Sequence, residues 1–218
     1  MKTIKNVTIV LGLILISVLH TKAQTSKEDK KALQNELKDK AIKEARKEAK
    51  QIEKDGWYTL PGTLPLDKQI EKAWMQEVDT DDEGYPKFYV GTGSSLAGTQ
   101  SAAKLQATTI AKQDLAGKIS SSIASIIETN IATQQLTAED AATIQQTVSA
   151  STEVIAQKLA RVIALTELYK KNGKNIECQM RIAYSQELAN NAAKEVIKKN
   201  LEEKTNVTRE KLDKLMNF

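Results

Sequence analysis

RVIALTELYKKNGKNIECQMRIAYS, residues 161–185, has the outline of a β-hairpin. Asn172-Gly173 divides it into two arms rich in β-branched and aromatic residues, and an Asn-Gly pair between such arms favours a two-residue loop. Setting Lys171 opposite Lys174 places Tyr169 opposite Ile176, Leu165 opposite Met180, Ile163 opposite Ile182 and Glu167 opposite Cys178. Ile176, Cys178, Met180, Ile182 and Tyr184 alternate strictly, so their face is expected to lie buried against helices. Glu167 is the polar exception on that face. It is read as a residue near the sheet margin with its head in solvent, the other reading being a functional carboxylate. Cys178 is read as a small buried apolar group, since a lone Cys makes no internal disulfide.

Upstream, Lys87-Phe88-Tyr89-Val90 reads as a further strand. It runs into a glycine-rich turn, Gly91-Thr92-Gly93-Ser94-Ser95-Leu96-Ala97-Gly98, and then a long helix over residues 99–130. Ala103, Ala107, Ile110, Ala111, Leu115, Ile119, Ile123, Ile126 and Ile127 form one stripe on this helix, which should lie lengthwise on the sheet. A glycine loop before a helix invites phosphate, because free amides cluster at a helix N-terminus. The third glycine of a dinucleotide fingerprint would fall at Leu96, however, and no Gly-Lys-Ser/Thr follows. Gly91 and Gly93 are therefore read as letting the backbone pass close beneath the helix. A second helix is expected over residues 138–157, opened by Thr137 and Asp140 as a capping box.

The flanks are helical and charged. Residues 26–54 carry Leu33, Leu37, Ala41, Ala45, Ala49 and Ile52 at three- and four-residue spacing among Lys and Glu, a narrow stripe. This arm either packs along its own domain, protrudes, or offers a coiled-coil seam to a partner. Two prolines, Pro61 and Pro65, make the following segment extended, and Leu66–Glu77 reads as a short helix with Ile70, Ala73 and Trp74 on one face. Trp57 and Trp74 are read as packing anchors. The acidic turn Asp79-Thr80-Asp81-Asp82-Glu83-Gly84 fails as an EF-hand loop, because Val90 stands at the twelfth position where a bidentate Glu is required. After residue 185 the chain is helical again, with Leu188, Ala192, Val196 and Ile197, then Thr208 opening a last helix with Leu212 and Leu215.

The N-terminus has the order of a secretory leader: Lys2 and Lys5, an apolar run over residues 7–19, then Thr21 and Ala23 at the positions a signal peptidase reads. That run spans about 20 Å as a helix, short of the ~30 Å a bilayer core demands. Cleavage after Ala23 without lipidation is expected, since the one Cys lies far downstream. Losing Lys2, Lys5 and Lys22 lowers 32 basic residues to 29 against 28 acidic. The mature chain is then nearly neutral, which argues against nucleic acid and other phosphate-rich partners. The sole histidine, His20, leaves with the leader, and with it the usual ligands and bases of zinc, haem and triad chemistry.

Phe88-Tyr89-Val90-Gly91-Thr92-Gly93-Ser94-Ser95, the Ala-spaced helix with Asp114-Leu115-Ala116, and the hairpin together resemble the LPP-type lipoprotein family of bacterial envelopes, whose relatives include FlgP-like flagellar outer-membrane proteins. The likeness covers residues 87–189. In that family a V-G-x-G strand end leads into a helix of pattern A-x-x-x-A-x-x-x-A that ends near D-L-A and packs on a small antiparallel sheet. The resemblance implies envelope structure or assembly and brings no catalytic residues. Members are commonly lipid-anchored, and this chain departs from them in having no lipidation Cys.

The expected architecture is α+β: a small antiparallel sheet of about three strands against one long and one shorter helix, with charged helical arms at both ends. Its divisions are a signal peptide (1–23), an N-terminal arm (24–55), a Pro/Trp segment with a short helix (56–86), an α+β core (87–185) and a C-terminal extension (186–218). The expected function is that of a non-catalytic periplasmic or secreted envelope protein in structure, assembly or protein–protein interaction. Its partners would be other envelope proteins or a second copy met through the arms, with no nucleic acid and no transmembrane segment. No catalytic, cofactor-binding or metal-binding residue and no cofactor is assigned. The alternative is a peptide- or glycan-binding module using Trp57, Tyr58 and Trp74. A hydrolase built on Asp81, Asp82 and Glu83 is the third reading, although adjacent carboxylates on one turn do not flank a cleft.

Overall fold

A computed structural model describes residues 27–133, 137–159, 161–204 and 208–216. The expected leader and its cleavage point lie outside the described residues. The chain runs α1 (Lys27–Lys54), α2 (Leu66–Glu77), β1 (Phe88–Ala97), α3 (Gln100–Thr133), α4 (Ala138–Ala150), α5 (Thr152–Lys158), β2 (Ile163–Asn172), β3 (Asn175–Ser185), α6 (Gln186–Lys204) and α7 (Arg209–Leu215). The three strands form one antiparallel sheet in the order β1-β3-β2, so the fold is α+β as expected.

The hairpin forms with its turn one residue later than expected. Asn172 pairs with Asn175 and the loop is Gly173-Lys174, which sets Tyr169 opposite Cys178 and Glu167 opposite Met180. Both registers put the same residues on the same face, so the apolar alternation cannot choose between them. The glycine decides: Gly173 has φ +61° at the first loop position, where a two-residue turn needs a residue free of a Cβ. A bulge follows between Ala164 and Thr166. It turns Leu165 away from Met180 onto the opposite face, against Ala73 and Ala183. Lys72 of α2 donates to the Ala164 carbonyl beside it at 3.1 Å.

The segment expected to be a glycine turn is strand. β1 continues through Gly91 and Gly93 to Ala97 and pairs with β3 along its full length. Serine and glycine are poor strand formers, and what keeps them here is the layer above. A Cβ on Gly91 would collide with the Ala111 carbonyl and Leu115, and one on Gly93 with the Ala107 carbonyl and the Ala111 backbone. The alanines of α3 and the glycines of β1 thus remove side chains on both sides of a helix–strand contact.

The face carrying Tyr169, Cys178, Met180, Ile182 and Tyr184 is buried with Ala103, Ala107, Ala111 and Leu115 of α3. Beyond the sheet, α3 needs another cover, because each buried Ile contributes about 1.5–3 kcal/mol only when water is removed from it. Ile119, Ile123 and Ile127 receive that cover from Ile144, Ile155, Ile197, Leu201, Leu212 and Leu215 of α4–α7. Ile110, expected on the buried stripe, is instead exposed. The expected second helix is interrupted at Ser151, whose buried hydroxyl donates to the Thr147 carbonyl and accepts from Asn200. Thr137 caps α4 by accepting the Asp140 N–H at 3.1 Å.

The sheet's second face is covered as well. Ala45 and Ala49 of α1 pack with Leu66 and Ile70 of α2 on Leu168 of β2. Residues of both charged arms therefore belong to the core: Ala41, Ala45 and Ala49 in α1, and Ala189, Ala193, Val196, Ile197 and Leu201 in α6. Leu188, expected on the apolar face of the tail, points outward, and one residue of phase places Ala189 and Ala193 inside instead.

Both sheet edges are partly covered. Tyr58 and Tyr169 exchange backbone hydrogen bonds at 2.8 and 2.9 Å, and the Gln69 carboxamide accepts the Glu167 N–H at 2.7 Å. On β1, α3 supplies Asp114 to the Thr92 N–H and Lys118 to the Val90 carbonyl. An unpaired strand edge templates aggregation, and these two side chains occupy one N–H and one carbonyl of it.

Candidate functional site

Glu167 and Tyr169 stand two residues apart on β2 and therefore share a face. The Tyr169 hydroxyl donates to Glu167 Oε1 at 2.6 Å, and Lys104 of α3 pairs with Oε2 at 2.9 Å. The Glu167 side chain is 15% exposed, so its head is not in solvent as the sequence suggested. The reason is the roll of α3, which brings Lys104 over the sheet. Cys178, directly across from Tyr169, is fully buried, and the Tyr58 ring packs on that of Tyr169 with centroids 6.1 Å apart.

The electrostatics of this cluster work against reactivity. Burial, then the hydrogen bond to Glu167 and its charge, push the Tyr169 phenol well above its ordinary value. Burial first and the Glu167 charge second push the Cys178 thiol up to about 11. A thiol at that value is protonated at neutral pH and is a poor nucleophile. The carboxylate has the Tyr169 hydroxyl on one oxygen and the Lys104 ammonium on the other. The cluster ties α3 to β2.

The three aromatics proposed as one contact surface are divided between layers. Trp57 and Trp74 pack into the α1–α2–Leu168 cluster, whereas Tyr58 joins the cluster on the opposite face of the sheet. Trp57 and Tyr58 are neighbours in an extended segment, which sends their side chains to opposite sides. Trp74 donates its indole N–H to Glu48, and Lys170 lies 5.8 Å from the Trp57 ring centroid. Both indoles are half-buried packing anchors.

The acidic turn is organised by its own backbone. Asp81 accepts the N–H groups of Glu83 and Tyr85 at 3.1 and 2.8 Å, and Gly84 takes φ +95°. Asp79 is bound to Lys38 and Lys87. Among the described residues no group of three or more His, Cys, Asp or Glu side chains is placed to hold a metal ion. An open groove of about 400 Å³ lies at the start of β1, between Glu77, Phe88, Val90, Ser122 and Gln186. Glu77 is the carboxylate lining it. Tyr89 also lines it, its hydroxyl within hydrogen-bond distance of Ser122 and Asn190.

Sequence reasoning singled out Glu167 and Cys178 but missed Lys104 and Tyr169. Tyr169 was legible, because its two-residue spacing from Glu167 puts both on one face. Lys104 was not, since nothing in the sequence fixes the roll of α3. No family model, no curated protein and no solved structure matches this chain.

Proposed function

We infer that this chain is a non-catalytic exported envelope protein, periplasmic or secreted, that acts in structure, assembly or protein–protein contact. The observation that carries the reading is the end of α1. Its apolar stripe is buried from Ala41 onward, but upstream Leu33 is 57% and Leu37 45% exposed, and both leave the domain on the same helix. Leu33 and Leu37, one turn apart and in line with a stripe that is buried further along, offer an apolar strip to a partner helix. The chemistry of the Glu167 cluster supports the non-catalytic part, as its groups are engaged with one another. The leader-like N-terminus and the resemblance to LPP-type envelope lipoproteins support the address.

The test is a photo-crosslinking residue at position 37 in living cells. It is expected to join the chain to a second copy or to another envelope protein. Uncrosslinked monomer alone, or capture confined to cytoplasmic proteins, would contradict the reading.

A further inference from the structure

Five lysines of α1, Lys40, Lys43, Lys47, Lys50 and Lys54, recur at spacings of three, four, three and four residues. That spacing holds them on one side of a helix along roughly 21 Å of its axis. All five are exposed, and Ala41, Ala45 and Ala49 point the other way into the domain. Of the five, Lys47 pairs with Glu44. Lys40, Lys43, Lys50 and Lys54 make no ion pair among the described residues, and the neighbouring Arg46 is turned aside to Glu71 on α2. Beyond Lys54 the line continues to Lys170, whose stem passes Gly56 and whose ammonium lies by Trp57. The near-neutral total charge of the mature chain hides this concentration.

We propose that this lysine ridge docks the protein peripherally on a bilayer surface rich in anionic phospholipid. From Ala41 onward, the stretch that carries the ridge, the apolar face of α1 is spent on α2 and the sheet, so this part of the helix does not sink into the interface as an amphipathic anchor does, and binding is electrostatic. A straight row of flexible, strongly hydrated ammonium groups suits a plane of phosphate headgroups, which demands charge without fixed geometry. Nucleic-acid readers instead place planar arginines and stacking aromatics along their basic tracks, whereas here the neighbouring Arg46 is held by Glu71 and Trp57 is half-buried in the α1–α2 cluster. The choice of a bilayer as the source of phosphate rests on the export reading above.

The experiment is vesicle co-sedimentation with a chain beginning at Gln24, because the apolar leader would bind lipid by itself. Vesicles of phosphatidylcholine with about 30% phosphatidylglycerol are compared with phosphatidylcholine alone, at about 0.05 M and about 0.3 M salt. Binding is expected only to the anionic vesicles and should fall at least tenfold at the higher salt. Each lysine at such a surface contributes roughly fivefold. Changing Lys40, Lys43, Lys50 and Lys54 together to Gln, which preserves helix propensity, should therefore abolish detectable binding. Changing Lys112, Lys199, Lys204 and Lys211 to Gln removes the same charge elsewhere and should leave binding within about threefold, since screening confines each charge to roughly 10 Å. Equal binding to both vesicles, no binding, equal loss in both variants, or tighter binding to duplex DNA than to the anionic vesicles would overturn the proposal. Export is measured separately in cells, so either idea can fail alone.

Discussion

Asp114, on the helix α3, accepts a hydrogen bond from the backbone N–H of Thr92 at 2.8 Å, and Lys118 one turn later holds the same carboxylate at 2.9 Å. Asp114 is the first residue of the Asp-Leu-Ala motif, and its side chain closes a strand edge. Burial opposes its charge, but the Thr92 N–H and the Lys118 ammonium outweigh burial and hold the carboxyl below its ordinary 3.8. A carboxyl lowered in the folded state adds stability above its unfolded value, and that stability is lost as pH falls through the folded value. Asp114→Asn should cost about 1 kcal/mol at neutral pH, a figure held down by partial exposure. Urea midpoints of the two proteins should converge below about pH 4. A difference that persists unchanged into strong acid would show that charge is not what Asp114 contributes.

The glycines of β1 and of α3 should respond in opposite directions to the same change. Gly91→Ala and Gly93→Ala insert a methyl into the backbone of α3, and each should lose about 1–3 kcal/mol or more, Gly93 the larger. Gly117 lies mid-helix with open space around its Cβ position, so Gly117→Ala should gain up to about 1 kcal/mol. Thermal melts of the three variants decide it.

Cys178 should behave as an inert thiol. At pH 8 a disulfide-exchange reagent is expected to leave the native protein unmodified over hours and to titrate one thiol on addition of guanidinium. Tyr169→Phe removes the hydroxyl that Glu167 accepts and should cost about 1–2 kcal/mol. Prompt reaction of the native thiol would mean that the β2–β3 face opens to solvent.

The two halves of α1 should differ sharply. Deleting residues up to Leu37 removes the exposed Leu33 and Leu37 and none of the buried alanines of α1, and should leave the melting temperature within a few degrees. Deleting up to Lys54 strips Ala41, Ala45 and Ala49 from Leu66, Ile70 and Leu168 and should unfold the sheet's second cover, with a loss of several kcal/mol. Circular dichroism melts of both truncations measure this.

How far the sequence could be read follows from these contacts. Strict alternation in β3 and the prolines ahead of α2 are local signals, and α2 occupies the expected Leu66–Glu77. The outer half of β1 was illegible because its glycines and serines mimic a loop, and only the collision that a Cβ would meet on α3 explains them. The bulge at Leu165 depends on Ala73 and Lys72, distant in sequence. The stripe of α1 was legible together with packing along its own domain as one of its readings, but the choice among those readings depended on Leu66, Ile70 and Leu168, distant in sequence, which receive its alanines. The lysine ridge was masked, since net charge carries no information on which side of a helix the charges stand.

Export underlies the functional reading, and one measurement reaches it directly: the mass and N-terminal residue of the protein recovered from fractionated cells. The expected result is a chain beginning at an unmodified Gln24 in the periplasmic or extracellular fraction. A cytoplasmic chain still carrying residues 1–23 would contradict it.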